Sequence, residues 1–325
     1  MNKGLFVSWA PYSRRSRSLA DAFDLDLCFV STPWPKRPLA TPLKYPWQAA
    51  LTAAAVAPDR DELWVMYPPT PALAIVAAAA RLRGRPLVVD MHTVAFYAPE
   101  WLLLRRLELP VLRRAAAVVV TNERLAARVR SWGARAFVLP DPLPCPPQTG
   151  APVAADGRSQ AAAPDDVTVV ATFSRDEPLD LLPQVAGRLP DVRIAVTGEP
   201  RGDLSAWPAN LRCTGFLADD AYWRQLAASR AVVVLTTRPD TLLSGGYEAM
   251  VLGRPLVTSD QRVLHEYFGD AALYAAADAG ELAGAIATAL DDGAALGERL
   301  LALAERREAE WLEAAARLAE AVRPG

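Results

Sequence analysis

Residues 231–260 read AVVVLTTRPDTLLSGGYEAMVLGRPLVTSD. Ala231 to Leu235 is a short apolar run of the kind that fills a buried parallel strand, and Leu256 to Thr258 forms a second after the turn at Gly253, Arg254 and Pro255. Parallel neighbours need a crossover, and a helix of about a dozen residues fits the sequence between them. Ser244, Gly245 and Gly246 fall at the start of that helix. There, free backbone N–H groups and the positive end of the dipole favour an anion, and missing Cβ atoms let one approach closely. Phosphate is the natural guest. Asp240 in the loop and Glu248 in the helix's first turns bracket the glycines, placed for hydroxyl groups on either side. The same letters also describe an ordinary turn and helix in which Glu248 is a favourable acid near a helix N-terminus.

Outside this stretch, 325 residues exceed one ordinary hydrophobic core and suit two domains. With 52% hydrophobic residues, 22% charged and a net charge of −2, the composition is globular and lacks the basic excess of a nucleic-acid binder. The opening MNKGLFVSWAPYSRR lacks the longer apolar core of a signal peptide, so a cytoplasmic location is expected. Ala49 to Ala57 and Ala72 to Ala80 are apolar but far short of the ~20 residues that span a bilayer. Cys28, Cys145 and Cys213 are scattered, with no zinc or disulfide spacing, and the only histidines are His92 and His265. No metal and no resident cofactor are expected.

Before the proline-rich middle, apolar runs recur at Leu5 to Val7, Leu25 to Val30, Leu63 to Met66, Leu87 to Val89, Ala117 to Val120 and Ala136 to Leu139. Helix-compatible sequence separates most of them, which predicts successive βα units and a parallel sheet whose ligands gather at the strands' carboxyl ends. Residues 146–166, rich in Pro, Ala and Gly, read as a linker. The alternation restarts with Val167 to Thr172, Val192 to Thr197, Leu211 to Gly215 and the two strands already described. After Gly280 the chain turns helical, ending in a long Ala, Leu, Glu and Arg segment from Ala294 to Val322.

The segment DTLLSGGYEAMVLGRPLVTSD resembles the donor-binding segment of retaining GT-B glycosyltransferases, family 4 in particular, where two acids sit at this spacing; Asp240 replaces the usual first Glu. The resemblance implies an α/β fold of GT-B architecture, two Rossmann-like domains facing each other across a cleft. Residues 1–145 would bind the acceptor and 167–325 the nucleotide diphosphate sugar, with the terminal helix crossing back to the first domain. It further implies that Asp240 contacts the donor hexose, the Gly245 and Gly246 amides the pyrophosphate, and Glu248 the ribose. His92, in PLVVDMHTVAF, would line the pocket near the anomeric centre; otherwise it holds its loop or sits in the core. Asp90 would orient it or cap the following segment.

Relatives carry an Arg and then a Lys after the first strand of the second domain. Here only Arg175 is available, because Lys3, Lys36 and Lys44 all precede the linker. Arg201, after the next strand, is a substitute or an exposed turn residue. LRCTGFLADDAYWRQLAAS resembles the base pocket, with Thr214, Gly215, Phe216 and Leu217 meeting the base and Phe216 or Tyr222 stacking; Trp223 is expected in the core.

Two further stretches admit more than one reading. In WAPYSRRSRSLADAF, Ser13 or Ser16 caps a helix, and Arg15 and Arg17 read as a solvated face. EWLLLRRLELPVLRR, with Arg105, Arg106, Arg113 and Arg114, reads first as a surface helix and second as a peripheral membrane contact at the inner face. The implied reaction transfers a hexose, with retention, to a glycan, lipid-linked or small-molecule hydroxyl. The rivals are a sugar-nucleotide epimerase and a non-catalytic GT-B-like binding or scaffold subunit.

Overall fold

The computed structural model describes residues 3–32, 41–147 and 165–323. The chain divides into two compact units: residues up to Pro142 together with those from Ala309 onward, and Leu143–Glu308.

In the first unit, strands β1 (Leu5–Ser8), β2 (Asp26–Phe29), β3 (Leu63–Tyr67), β4 (Leu87–Met91), β5 (Ala117–Val120) and β6 (Ala136–Val138) alternate with helices. These are α1 (Arg14–Ala22), α2 (Thr41–Ala55), α3 (Thr70–Arg83), α4 (Val94–Tyr97), α5 (Pro99–Arg114) and α6 (Glu123–Ser131). Strand pairing is parallel throughout, in the order β2-β1-β3-β4-β5-β6. The central strands are buried on both faces, as their Val-rich letters require. Alternate residues feed two layers. Leu5, Val7, Val65, Val89 and Val118 pack with α3, α5 and α6 on one side, while Phe6, Trp64, Val88 and Val119 pack on the other with Leu19 of α1 and with Leu318 and Val322 near the chain's end.

The second unit repeats the plan with β7 (Val167–Val169), α7 (Leu182–Arg188), β8 (Ile194–Thr197), β9 (Leu211–Gly215), α8 (Asp219–Ala228) and β10 (Ala231–Val234). It continues through α9 (Ser244–Val251), β11 (Leu256–Ser259), α10 (Arg262–Phe268), β12 (Ala272–Ala275), α11 (Ala279–Asp291) and α12 (Gly293–Val322), whose last turns belong to the first unit. Its parallel sheet runs β12-β11-β10-β7-β8-β9. That is the doubly wound nucleotide-binding order, with its reversal between β10 and β7; in the first sheet the reversal lies between β1 and β3.

The expected strands are all present, and β12 is an addition that the sequence reading lacked. Of the expected linker, residues 148–164 lie outside the described residues. Asp165 and Asp166 are fixed within the second unit: Asp165 accepts from Arg212 Nε at 3.0 Å and Gln225 Nε2 at 3.0 Å, and Asp166 from the Arg193 amide at 3.0 Å. Among the described residues no helix is long and apolar enough to cross a membrane.

Candidate functional site

Because β10, β7, β8 and β9 are successive neighbours, the loops at their carboxyl ends share one edge of the second sheet. Asp240 and Ser244 follow β10, Arg175 follows β7, Arg201 follows β8, and Thr214, Gly215 and Phe216 close β9. Topology therefore gathers onto one edge residues that are up to about seventy positions apart in sequence, at the place where such sheets hold ligands.

Helix α9 begins there without a side-chain cap, and the Gly246 amide donates to the Leu243 carbonyl at 3.0 Å. A Cβ on Gly245 would stand 3.0 Å from Val170 and Val234, and one on Gly246 would stand 2.7 Å from Phe268 Cζ. The paired glycines are thus demanded by packing of the helix onto the ends of β7 and β10 and onto α10. What stands closest to the bare Cα atoms is protein: Val170 and Val234 at Gly245 and the Phe268 ring at Gly246. Asp240 is 8% exposed and has φ +51°, a left-handed conformation that Asp tolerates better than most residues. Glu248 is 2% exposed and accepts a hydrogen bond from the Tyr222 hydroxyl, so Tyr222 is committed to this carboxylate. Trp223 is buried as expected, whereas Phe216 is 81% exposed. The Gly215 carbonyl is taken by the Gly198 amide at 3.1 Å.

The loop after β7 is tied down by its own acids. Glu177 accepts from the Thr172 amide at 2.9 Å and the Ser174 amide at 3.0 Å. Asp176 accepts from Thr236 Oγ1 at 3.0 Å and from an Arg238 guanidinium nitrogen at 2.9 Å, joining the β7 loop to the β10 loop. Burial pushes the Asp176 carboxyl up, but the Ser174 hydroxyl, Arg238 and Thr236 together hold it below its ordinary value. Arg238 is a site cation that sequence reasoning overlooked, although it lies in the RPD triplet just before Asp240. Arg175 and Arg201 are both exposed.

The first unit's carboxyl edge is organised differently. His92 follows β4; its amide donates to the Tyr67 carbonyl at 2.9 Å and its Nε2 lies 3.0 Å from Asp90 Oδ2, with 30% of the side chain exposed. Asp90 is wholly buried, and its other oxygen accepts from Arg15 Nε at 2.8 Å. Arg15 also donates to Asp141 and to the Leu139 carbonyl, at 2.5 and 3.0 Å. The solvated face expected for Arg15 is therefore corrected: Ser13 caps α1, and the helix's first turn carries Arg15 inward to meet the buried Asp90 carboxylate. Arg17 stays exposed over the Tyr12 and Phe29 rings. Burial works against the Asp90 charge, but Arg15 and His92 outweigh it and hold the carboxyl below its ordinary value.

Arg105, expected on a surface face, is likewise buried at 8% exposure, where it donates to the Ala95 carbonyl at 2.6 Å and covers the Trp132 ring. Its neighbour Glu108 accepts from the Tyr67 hydroxyl at 2.6 Å, so a second buried charge pair underlies the His92 loop.

Residues 6–140 match the family model for the Glycosyl transferase 4-like domain, and residues 169–292 match the one for Glycosyl transferases group 1. The chain belongs to the family-4-like glycosyltransferases. Solved structures similar to this glycosyltransferase span nearly its whole length. HepE from Anabaena, in complex with UDP and glucose, superposes with a TM-score of 0.70 at 18% identity, over 98% of this chain and 99% of that one. Sucrose-phosphate synthase from Thermosynechococcus elongatus gives 0.68 at 17% identity, over 98% of each chain. A trehalose-phosphate synthase from Burkholderia vietnamiensis gives 0.68 at 12% identity, over 98% of this chain and 100% of that one. At these identities the likeness establishes the fold, and it is GT-B. A comparison with curated protein sequences gives no match.

Proposed function

We propose that this glycosyltransferase moves a hexose from a nucleotide diphosphate sugar, held by the second unit, to a hydroxyl acceptor bound by the first, with retention of anomeric configuration. The observation that carries the reading is the convergence, on the edge where the second sheet's order reverses, of an uncapped helix start, two bracketing carboxylates and three arginines. On this reading the diphosphate lies against the start of α9, at the Ser244 and Gly245 amides, with the Gly246 amide given to the Leu243 carbonyl. Arg175, Arg201 and Arg238 supply the positive charge that relatives draw from a lysine. Fixed charge at a leaving group is worth several kcal/mol of barrier, so three arginines are a physically adequate replacement.

Asp240 holds the hexose and Glu248, with Tyr222, the ribose. The base meets the backbone from Thr214 to Phe216, where the exposed Phe216 ring offers a stacking face. His92 is the first unit's candidate for a role in the chemistry. No side chain is assigned as nucleophile: the acceptor attacks the face the phosphate leaves, and the protein positions and neutralises. The reaction is expected to need no metal. HepE has been crystallised with UDP-glucose, which makes UDP-sugars the first donors to try.

The acceptor is a glycan, a lipid-linked sugar or a small molecule. A lipid-linked acceptor suits α5, which exposes Leu102, Leu103 and Leu107 beside Arg106, Arg113 and Arg114, an apolar and basic face fitted to an anionic membrane surface.

The test is a thermal-shift screen against UDP, GDP, TDP and ADP sugars, since a ligand that binds only the folded state raises the melting temperature. One donor class is expected to stabilise, and that donor is then expected to be consumed only when an acceptor or water accepts the sugar. Consumption giving an isomeric sugar nucleotide identifies an epimerase. The lack of any lysine beyond Lys44 favours, as second reading, a GT-B-like binding subunit, which would show stabilisation without turnover.

A further inference from the structure

Arg15 and Asp90 are the most deeply buried ion pair among the described residues of the first unit, with side chains 8% and 0% exposed. Neither touches solvent enough to act on a substrate, yet Asp90 ends on His92, which does reach the surface. A carboxylate with two unassigned oxygens can rotate and accept from several donors, so it fixes a neighbouring imidazole only loosely. Here that freedom is gone. The Arg15 fork is divided among Asp90 Oδ1, Asp141 Oδ1 and the Leu139 carbonyl, so it is anchored to the segment after β6 as well as to β4. One Asp90 oxygen is taken and the other is aimed at the ring.

We infer that Arg15 is a positioning residue for His92: by occupying Asp90 Oδ1 it dedicates Oδ2 to the imidazole, which is held with Nε2–H inward and Nδ1 as the nitrogen offered to substrate. An ionised carboxylate accepts only, so the neutral ring must place its proton on Nε2 and keep the Nδ1 lone pair available. The role this gives His92 toward substrate rests on the proposed function; the tautomer does not.

The chain has two histidines, so a His265→Gln background leaves a single imidazole for long-range 15N–1H NMR. In that background His92 is expected as one tautomer, protonated at Nε2. Arg15→Lys keeps the charge, but an ammonium cannot reproduce the planar fork to three acceptors. It is expected to bring a mixture of tautomers in the folded protein and a fall in kcat on the order of tenfold, with the KM for donor unchanged. Asp141→Asn, which spares the Asp90 contact, is expected to keep the single tautomer. A merely structural role for Arg15 would lower the folded fraction and leave the ring of the folded molecules unaltered, which overturns the inference, as does a ring protonated at Nδ1 in the parent. If His92→Ala keeps full turnover while Arg15→Lys still mixes the tautomers, the catalytic reading of His92 falls and the positioning stands.

Discussion

The two carboxyl edges, built on sheets of the same kind, spend their charges in opposite ways. In the first unit Arg15, Asp90, Arg105 and Glu108 are buried and turned on one another, so charge holds the loops, and His92 emerges partway. In the second, the helix start is held by contact between glycines and apolar side chains, and Arg175 and Arg201 remain exposed. The first unit's edge is stiffened by desolvated ion pairs, which is what the inferred positioning of His92 would require. The second unit's edge relies on packing at its helix start and on one partly exposed pair, Asp176 with Arg238, and leaves Arg175 and Arg201 at the surface, as the proposed binding of a multiply charged donor would require.

This contrast can be broken. Asp90→Ala should cost about 3 kcal/mol in urea unfolding, because it takes the buried partner from a guanidinium left with Asp141 and the Leu139 carbonyl, whereas Asp176→Ala, at a partly exposed pair, should cost under about 1 kcal/mol. Equal losses would erase the distinction. The sign with pH follows from the depressed Asp90 carboxyl. Its stabilisation is complete above the unfolded carboxylate value near ~3.9 and is lost as pH falls through the lower folded value, so the acid limb of the stability curve should flatten in Asp90→Asn.

On the proposed function, Glu248→Ala removes a charged acceptor from the second unit's carboxyl edge and should weaken nucleotide-sugar affinity by about 1.5–3 kcal/mol in titration calorimetry. Unchanged affinity would sink the ribose assignment. Gly246→Ala drives a methyl into the buried Phe268 ring and should cost about 1–3 kcal/mol of stability, with part recovered by Phe268→Leu in the same chain. The smallest stability effect belongs to Arg175→Ala, within about 0.5 kcal/mol, while its donor affinity falls and loses salt dependence. A large stability loss there would place Arg175 among the holding charges.

Short length, flanking turns and β-branched content made the sheets legible: runs such as LWVMY and AVVV suit strands buried on both faces. β12 escaped because ALYA offers two alanines and no β-branched residue, and its place as an edge strand is set by pairing with β11. Asp240, Ser244, Gly245, Gly246 and Glu248 could be read together because one local motif carries them. The burial of Arg15 could not be read, since a run of serines and arginines looks solvated until its partner, 75 positions away, is brought beside it. The packing role of Gly245 and Gly246 was not legible, for a sequence shows a missing Cβ without showing that Val170, Val234 and Phe268 lie across from it.

The closing turns of α12 have a consequence for synthesis. Leu318 and Val322 sit 0% and 3% exposed against Phe6, Trp64 and Val88, and Trp311 donates to the Pro140 carbonyl across 171 positions. One face of the first sheet is therefore covered by residues that leave the ribosome only after the whole second unit. The half of the molecule that is translated first is finished last, and until then its nascent sheet presents an apolar face to the chaperones around the exit tunnel.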